Sequence, residues 1–374
     1  MTYTSRFQEL LMNYKPGNRV ELTDSSVLIQ HMRFKSQSFF GNHSEKSDKW
    51  FVFNHAKENE IFKYPIFIHS KTKKTDQVIL MLHGLNERNW NKYLSWAEYL
   101  CHYSGKAVVL FPIAYHMNRS PASWSNPRLL DKLLNTRRAY TGHDRSLSFA
   151  NVALSERLST HPELFYQSGR QSFDDIIKLI EEIKSGKHPL FYKNTHIDVF
   201  AYSIGAFLAQ IIFLSNPFQY FSDARLFMFC GGGVFNSMHG TSRSIMDKQS
   251  FDTLFEFYQS GVWAEKETAA TEDEALTAFY SMLTSNNEQT SRIEKFQHMH
   301  EQIKVISLKS DKVIPYEGVV QALGEECANQ CMEVLDFPYH YTHENPFPII
   351  RNTDSHAVDL SFRMVFDSAV EFLG

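Results

Sequence analysis

Short, uninterrupted runs of apolar residues recur along the chain from Val78 onward. Each run is only a few residues long and lacks the alternation of apolar and polar positions that a half-exposed strand shows. Strands buried on both faces have this pattern, which is typical of a parallel sheet covered by helices. Helical patterns lie between the runs, so we predict a doubly wound α/β sheet with right-handed crossovers. The predicted strands are 78–82, 107–111, 197–201, 226–229, 303–308 and 332–337.

The regions outside this alternation predict additions to the core. Residues 1–75 hold short runs rich in phenylalanine and β-branched residues, including 50–53, with polar, turn-prone pieces between them, which indicates a β-rich extension. Two stretches are much longer than ordinary connections, namely a polar and aromatic insertion at 113–170 and a mainly helical one at 235–298. Long insertions on a rigid α/β core are usually lids or caps. We therefore predict a single domain over 1–374, with an N-terminal extension and two cap insertions.

Composition and charge narrow the classes of partner. The 374 residues carry 38 Lys and Arg against 42 Asp and Glu, a formal charge of −4. This balance provides no basic surface for a nucleic-acid backbone or an anionic membrane. No run of about 18 apolar residues occurs, and the first residues lack the pattern of a secretory signal. We therefore expect a cytoplasmic protein with no membrane span and no nucleic-acid partner.

Motifs for metals and nucleotides are missing from the sequence. Cys327 and Cys331 have a spacing that suits a metal, but no CxxC pair or paired histidine accompanies them, so we expect packed, reduced thiols. Neither a P-loop nor an HExxH motif occurs. The glycines at 231–233 follow a strand and are interpreted as a tight turn or a pocket rim. We expect no cofactor and no metal.

The most informative segment is A-Y-S-I-G at 201–205. It joins an apolar strand directly to an apolar helix with small residues at its start. The G-x-S-x-G nucleophile elbow requires this context, because bulky side chains two positions from the serine would collide with the strand and the helix. The segment resembles the elbow of the α/β-hydrolase family, with Ala201 in place of the first glycine. The resemblance implies an α/β-hydrolase-like fold, with helices on both faces of a mostly parallel sheet, and Ser203 as the nucleophile.

The resemblance also covers a His-Gly turn at 83–84, which follows an earlier strand. In α/β-hydrolases a second donor to the oxyanion comes from such a turn. The resemblance therefore implies that the backbone N–H groups of Leu85 and Ile204 bind the oxyanion of the tetrahedral intermediate. His83 itself is interpreted as a residue that orients the loop through hydrogen bonds, not as a base.

The order of nucleophile, acid and base in the family indicates where the other catalytic residues lie. Asp311 follows a predicted strand and precedes Val-Ile-Pro, which resembles the family's acid loop. It is the expected acid, and a solvated turn aspartate is the alternative. For the base, His343 followed by Glu344 matches the usual family ending best. His340 and His356 remain alternatives, because only geometry settles a triad.

Five arginines lie among aromatic residues in the first insertion. One interpretation is a pocket that binds an acidic or phosphorylated group through guanidinium forks. The other, which we favour because charged loops are normally exposed, is an insertion solvated on one side and salt-bridged to the body. The five are Arg119, Arg128, Arg137, Arg138 and Arg145.

These patterns predict a serine hydrolase that cleaves a carboxylic ester, or a related acyl bond, of a small-molecule substrate. Ser203, His343 and Asp311 are the expected triad, and the reaction passes through an acyl-enzyme. A serine peptidase or amidase would use the same residues. A catalytically inactive binding or scaffold protein is the alternative from a different class, because fold alone does not determine function. The sequence gives no indication of the oligomeric state.

Overall fold

A computed structural model describes residues 2–37, 56–142, 144–260 and 273–374. The predicted strand at 50–53 lies outside these residues. The described strands are β1 (Val20–Leu22), β2 (Val27–Lys35), β3 (Ile61–His69), β4 (Thr75–Leu82), β5 (Ala107–Leu110), β6 (Phe191–Tyr202), β7 (Leu226–Phe229), β8 (Ile303–Leu308) and β9 (Met332–Leu335).

The described strands form one mixed sheet of nine, in the order β1-β2-β3-β5-β4-β6-β7-β8-β9. The pairs β1–β2, β2–β3 and β3–β5 are antiparallel. All other neighbours, from β5 through β4 to β9, are parallel. These six parallel strands correspond to the six apolar runs of the sequence, which confirms the predicted parallel sheet. The N-terminal region adds three antiparallel strands to the same sheet instead of forming a separate one.

Both faces of the sheet are covered by helices, as the sequence predicts. In β4 the side chains of Val78 and Leu80 join one hydrophobic cluster and those of Ile79 and Met81 join the other, because successive side chains of a strand point to opposite faces. This architecture is α/β-hydrolase-like. Within the described residues, every helix is too short or too polar to pass through a bilayer.

The helices divide between the two faces. One face carries α1 (Tyr3–Asn13), α3 (Asn91–Ser104) and, at the C-terminus, α13 (Ser355–Leu373). The other carries α5 (Val152–Thr160), α6 (Leu164–Lys184) and α7 (Ile204–Ser215) together with helices of the second insertion. The further helices are α2 (Lys57–Glu60), α4 (Pro127–Thr141), α8 (Lys248–Gln259), α9 (Glu274–Ser281), α10 (Gln289–His298), α11 (Tyr316–Leu323) and α12 (Glu325–Cys331).

The second insertion contributes to the main hydrophobic core. Phe279, Met282 and Phe296 are buried in the cluster that also contains α7. The two insertions contact each other as well, since Arg137 of α4 donates to both carboxylate oxygens of Asp247. Oδ1 of Asp247 also accepts the Ser250 N–H (2.9 Å) and so caps the start of α8. Residues 273–298 are therefore packed into the fold and do not lie loosely over it.

The five arginines singled out in the sequence analysis fall into two groups. Arg128, Arg138 and Arg145 are exposed. Arg119 and Arg137 are fully buried and pair with carboxylates, as Arg119 Nη2 lies 2.7 Å from Asp175 Oδ2 and Arg137 pairs with Asp247. The insertion is therefore salt-bridged to the body, but through buried pairs and not through surface pairs. Nothing in the local sequence distinguishes the two buried arginines from the three exposed ones.

Breaking the buried pair is expected to destabilise the fold. Asp175→Asn should lower the free energy of unfolding by about 3–5 kcal/mol, because the charge of Arg119 remains buried without a carboxylate. The adjacent Asp174 is a matched control, since its side chain is 37% exposed in its pair with Arg170 and Asp174→Asn should cost at most about 1 kcal/mol. Urea unfolding followed by circular dichroism measures both. Losses of equal size in the two variants would contradict this assignment.

Candidate active site

The turn that carries Ser203 is sharp and strained. The strand β6 ends at Tyr202 and α7 begins at Ile204, so Ser203 alone connects them, with φ 58° and ψ −125°. A non-glycine residue at such angles costs on the order of 1–3 kcal/mol and is found mainly at functional sites. A Cβ atom on Gly205 would lie 2.8 Å from the carbonyl oxygen of His83. The last position of the motif therefore has to be glycine, because the elbow packs directly on the His-Gly turn.

A second glycine supports the elbow from behind. Gly231 follows β7, and a Cβ atom there would lie 2.6 Å from Cβ of Ala206 and 2.8 Å from the backbone oxygen of Ser203. Any side chain at this position would push the nucleophile turn out of place. The sequence interpretation of 231–233 as a tight turn identified the local geometry but not this contact, which links two segments distant along the chain.

Ser203, His343 and Asp311 are in hydrogen-bond contact. Ser203 Oγ lies 2.7 Å from His343 Nε2, and His343 Nδ1 lies 2.7 Å from Asp311 Oδ2. The second oxygen of Asp311 accepts the backbone N–H groups of Val313 and Ile314 at 2.9 and 3.0 Å, which orients the carboxylate toward the imidazole. All three catalytic candidates are buried. The arrangement is that of a nucleophile, a base and the group that orients the base.

The other two candidate histidines lie elsewhere. His340 is exposed in the loop after β9, and His356 is exposed in the first turn of α13, where its backbone N–H donates to the capping carboxylate of Asp354. Of the three histidines, His343 is the one that contacts both Ser203 and Asp311. The loop after the last strand folds back over the sheet edge and brings His343 to the elbow.

The loop that carries His343 is held by residues that the sequence interpretation did not include. The hydroxyl of Tyr202 donates to the backbone oxygen of His343, and the two rings stack with centroids 5.7 Å apart. Lys92 Nζ donates to the backbone oxygen of Glu344 (3.0 Å), and the Glu344 carboxylate accepts the hydroxyl of Ser242 in the second insertion. Of these supporting residues, Tyr202 is the one that the sequence could have indicated, because it lies directly before Ser203.

The two expected oxyanion donors flank the nucleophile. A Cβ atom on Gly84 would lie 3.4 Å from Cβ of Ser203, so the His-Gly turn contacts the elbow closely. Among the described residues, the N–H groups of Leu85 and Ile204 donate to no backbone or side-chain acceptor, whereas the N–H of Gly84 donates to the Tyr93 hydroxyl (2.9 Å). Two unpaired amides beside a strained serine are the arrangement that an oxyanion requires.

His83 fixes the shape of this turn. The Ile113 N–H donates to His83 Nε2 (2.9 Å), so Nδ1 carries the proton and donates to the Gly84 oxygen (2.9 Å). Complete burial is the main cause that holds the pKa of His83 well below its usual value, and the neighbouring His116, Lys92 and Arg119 lower it further. A neutral imidazole with both nitrogens occupied in hydrogen bonds orients the loop and is not available as a base.

A narrow cavity of about 70 Å³ adjoins the elbow. Leu85 and Ile204 form part of its wall, so it opens beside the two unpaired amides. Most of its lining is aliphatic or aromatic, and the polar exceptions include His116 and Arg157. On the other side of Leu85 lies a broader, polar groove, whose walls include Glu87, Arg88, Lys92, Glu344 and Asn345.

The residues that could hold a metal do not converge within the described part of the chain. No three His, Cys, Asp or Glu side chains there form a cluster with metal-binding geometry. Cys327 and Cys331 lie on one face of α12 with their sulfur atoms 3.7 Å apart, and both are buried. They contact each other and the backbone oxygen of Phe296.

Solved structures with similar overall shape include esterases. A cold-adapted esterase from an Arctic intertidal metagenomic library is 9% identical, with a TM-score of 0.44 over 96% of this chain and 100% of that chain. Esterase LipW from Mycobacterium marinum is 10% identical, with a TM-score of 0.48 over 99% and 87%. An esterase from Pyrobaculum calidifontis is 11% identical, with a TM-score of 0.42 over 98% and 91%. Sequence identities and TM-scores this low give no information about the activity of this chain.

Sequence comparison identifies a family but not an activity. No curated protein sequence matches this chain significantly. A protein-family model matches the chain over residues 1–374, and it is described as a family of unknown function, DUF6051. Because the match extends over all 374 residues, the chain belongs to the family of unknown function DUF6051.

Proposed function

We propose that this protein is a serine hydrolase that cleaves a carboxylic ester of a small-molecule substrate. The observation that carries the proposal is the hydrogen-bonded chain from Ser203 Oγ through His343 to Asp311, with 2.7 Å at each step. A serine hydroxyl is a weak nucleophile unless a base lies within hydrogen-bond reach and a third group orients that base. Both conditions are met at a strained, buried turn.

In the first step the Ser203 oxygen attacks the ester carbonyl carbon. His343 Nε2 takes the hydroxyl proton, and Asp311 stabilises the imidazolium that results. The carbonyl oxygen gains negative charge and accepts the N–H groups of Leu85 and Ile204. The bond from the carbonyl carbon to the alcohol oxygen then breaks, and His343 returns the proton to the departing alcohol. The acyl group remains on Ser203 as an ester.

In the second step water replaces the alcohol. His343 takes a proton from a water molecule, whose oxygen attacks the acyl-enzyme, and the same two amides stabilise the oxyanion. The bond between the acyl carbon and Ser203 Oγ breaks, and the proton returns to Ser203. The products are a carboxylic acid and free enzyme. This chain's own residues supply every group that the two steps use.

An ester is the proposed substrate because its alcohol leaves more readily than the amine of an amide, so it makes the smaller demand on the base. A matched ester and amide of one acyl group would measure this preference directly.

We also propose a cytoplasmic location. All four cysteines are unpaired and buried, which suits a reducing compartment, and the near-neutral charge balance provides no anchor to anionic lipid.

An activity-based probe tests the proposal against the inactive-scaffold alternative. A fluorophosphonate should form one covalent adduct on the native protein, because the reagent reacts with activated serines. Intact-mass spectrometry and peptide mapping should locate the adduct on Ser203. Labelling should disappear in Ser203→Ala and persist in Ser185→Ala, which removes the exposed serine that follows the last residue of α6. Absence of any adduct on the native protein would favour a binding or scaffold protein.

A further inference from the structure

Arg157, in α5, is a buried cation that forms no ion pair with a carboxylate of the described residues. The residue is 2% exposed, and its Nη2 donates to the hydroxyl of Ser168 (3.0 Å). Its Nε–H has no hydrogen-bond partner among the described residues. Glu163 acts on it electrostatically but contacts His161 instead (3.0 Å). Burial lowers the pKa of Arg157 to about 10, so the guanidinium is still charged at neutral pH.

Other buried arginines of the protein are compensated. Arg119 and Arg137 pair with aspartates, as described above. Arg292 has no carboxylate either, but its guanidinium donates to a set of backbone carbonyls, among them that of Ala322 (3.0 Å). A buried charge without a partner is costly, and a ligand carboxylate would supply the partner that Arg157 lacks.

The position of Arg157 indicates where that partner binds. Arg157 lines the cavity that Leu85 and Ile204 also line, so it faces the space beside the nucleophile. His116 lines the same cavity, and its Nε2 is a second buried polar atom without a partner among the described residues. The nearby walls are apolar, with Leu154 and Leu158 among them. Arg170 also lines the cavity, but it pairs with Asp174 and Asp273. Arg157 is thus the cation of the lining that has no carboxylate partner among the described residues, in a cavity whose other walls suit methylene groups.

Two aromatic rings of the first insertion lie close to the guanidinium of Arg157. Tyr115 lies against it with the ring centroid 4.3 Å from the guanidinium carbon, and Trp124 lies at 5.6 Å. Aromatic rings that stack on the faces of a guanidinium leave its N–H groups in the plane free to bind a carboxylate. Contact with these rings does not use the Nε–H of Arg157, so that N–H is the group that a carboxylate would bind.

We propose that the acyl group of the substrate ends in a carboxylate, which Arg157 binds inside the cavity. The inference rests on the proposed hydrolase function and specifies its substrate class, namely monoesters of short dicarboxylic acids. The apolar walls contact the methylene chain, and the ester carbonyl lies at Ser203. A cavity of about 70 Å³ holds only several water-sized groups, so the chain between the two carboxyl groups is short.

Paired esters test this specificity. The 4-nitrophenyl monoester of adipic acid and 4-nitrophenyl hexanoate have the same number of carbons in the acyl group and differ in the terminal charge. The native protein should show a kcat/KM at least about tenfold higher for the adipate monoester, as expected for a charge-assisted hydrogen bond. Arg157→Met should abolish this preference, whereas Arg128→Met, which changes an exposed arginine of the same insertion, should retain it.

The melting temperature of Arg157→Met distinguishes a binding role of Arg157 from a structural role. Methionine replaces the buried charge with an unbranched apolar side chain, so Arg157→Met should melt at the same temperature as the native protein or higher. A native protein without preference for the adipate monoester would overturn the inference and leave the hydrolase proposal intact. Equal losses of kcat/KM for both esters, together with a lower melting temperature in Arg157→Met, would also overturn it.

A binding measurement separates this inference from the hydrolase proposal. Ser203→Ala should bind monomethyl adipate more tightly than methyl hexanoate in isothermal titration calorimetry, and the double variant with Arg157→Met should lose that difference. If the native protein hydrolyses neither ester but monomethyl adipate still binds through Arg157, the carboxylate site stands and the proposed function fails. If monomethyl adipate does not bind to Ser203→Ala, the inference is wrong.

Discussion

Ser203→Ala is expected to abolish the hydrolysis of short-chain activated esters. In the proposed mechanism the side-chain oxygen forms the acyl-enzyme, and no other hydroxyl is hydrogen-bonded to His343 Nε2 among the described residues. In serine hydrolases the loss of the nucleophile lowers kcat by about five to six orders of magnitude. Initial rates with 4-nitrophenyl butyrate, measured over a wide range of enzyme concentrations, quantify the loss.

The same variant should remain folded with nearly native stability. Alanine keeps the backbone angles of the elbow, and Asp311 still holds His343, so the free energy of unfolding should change by no more than about 1 kcal/mol. Urea unfolding measures this change, and parallel purification of both proteins controls for esterases of the expression host. Unchanged turnover in a folded Ser203→Ala protein would refute Ser203 as the nucleophile.

His343→Ala is expected to lower kcat by several orders of magnitude with little change in KM. The imidazole moves a proton in the transition state and contributes little to binding of the substrate in the ground state. Steady-state kinetics with the same ester separate the two parameters. The double variant Ser203→Ala/His343→Ala should be hardly slower than Ser203→Ala alone, because the members of one triad act as a unit.

The two exposed histidines supply matched controls for this variant. His340→Ala and His356→Ala remove an imidazole from neighbouring segments without touching Ser203 or Asp311. Each should retain most of the native kcat. If His343→Ala kept near-native turnover while one of these controls lost it, the base would move to that residue and the nucleophile assignment would be unaffected.

The fold and the elbow could be predicted from local sequence because their causes are local. The apolar runs at 78–82 and 197–201 lack alternation, since a strand with helices on both sides buries both faces, and β4 shows this directly. The A-Y-S-I-G segment has a steric cause that lies within five residues. The structure shows that cause as the close approach of Gly205 to the turn at His83.

Two features of the fold depend on packing between distant segments and could not be predicted from local patterns. The N-terminal extension joins the main sheet because β3 pairs with β5, a contact between segments about 40 residues apart that no composition signal indicates. The second insertion, which the sequence predicts as a cap, contributes Phe279 and Met282 to the main core. Apolar residues in a helix show that one face is buried but not which partner covers it.

Part of the candidate site could be predicted from local sequence, and part depends on how distant segments fold together. The chain order and the strand ends were sufficient to propose Ser203 and Asp311, because a residue after a parallel strand lies at the sheet edge where sites form. The choice among three histidines depended on how the loop after β9 folds, which sequence spacing does not determine. The special position of Arg157 is visible only in three dimensions. Its significance depends on the cavity that it lines and on its lack of an ion-paired carboxylate among the described residues, and both are properties of residues brought together from distant parts of the chain.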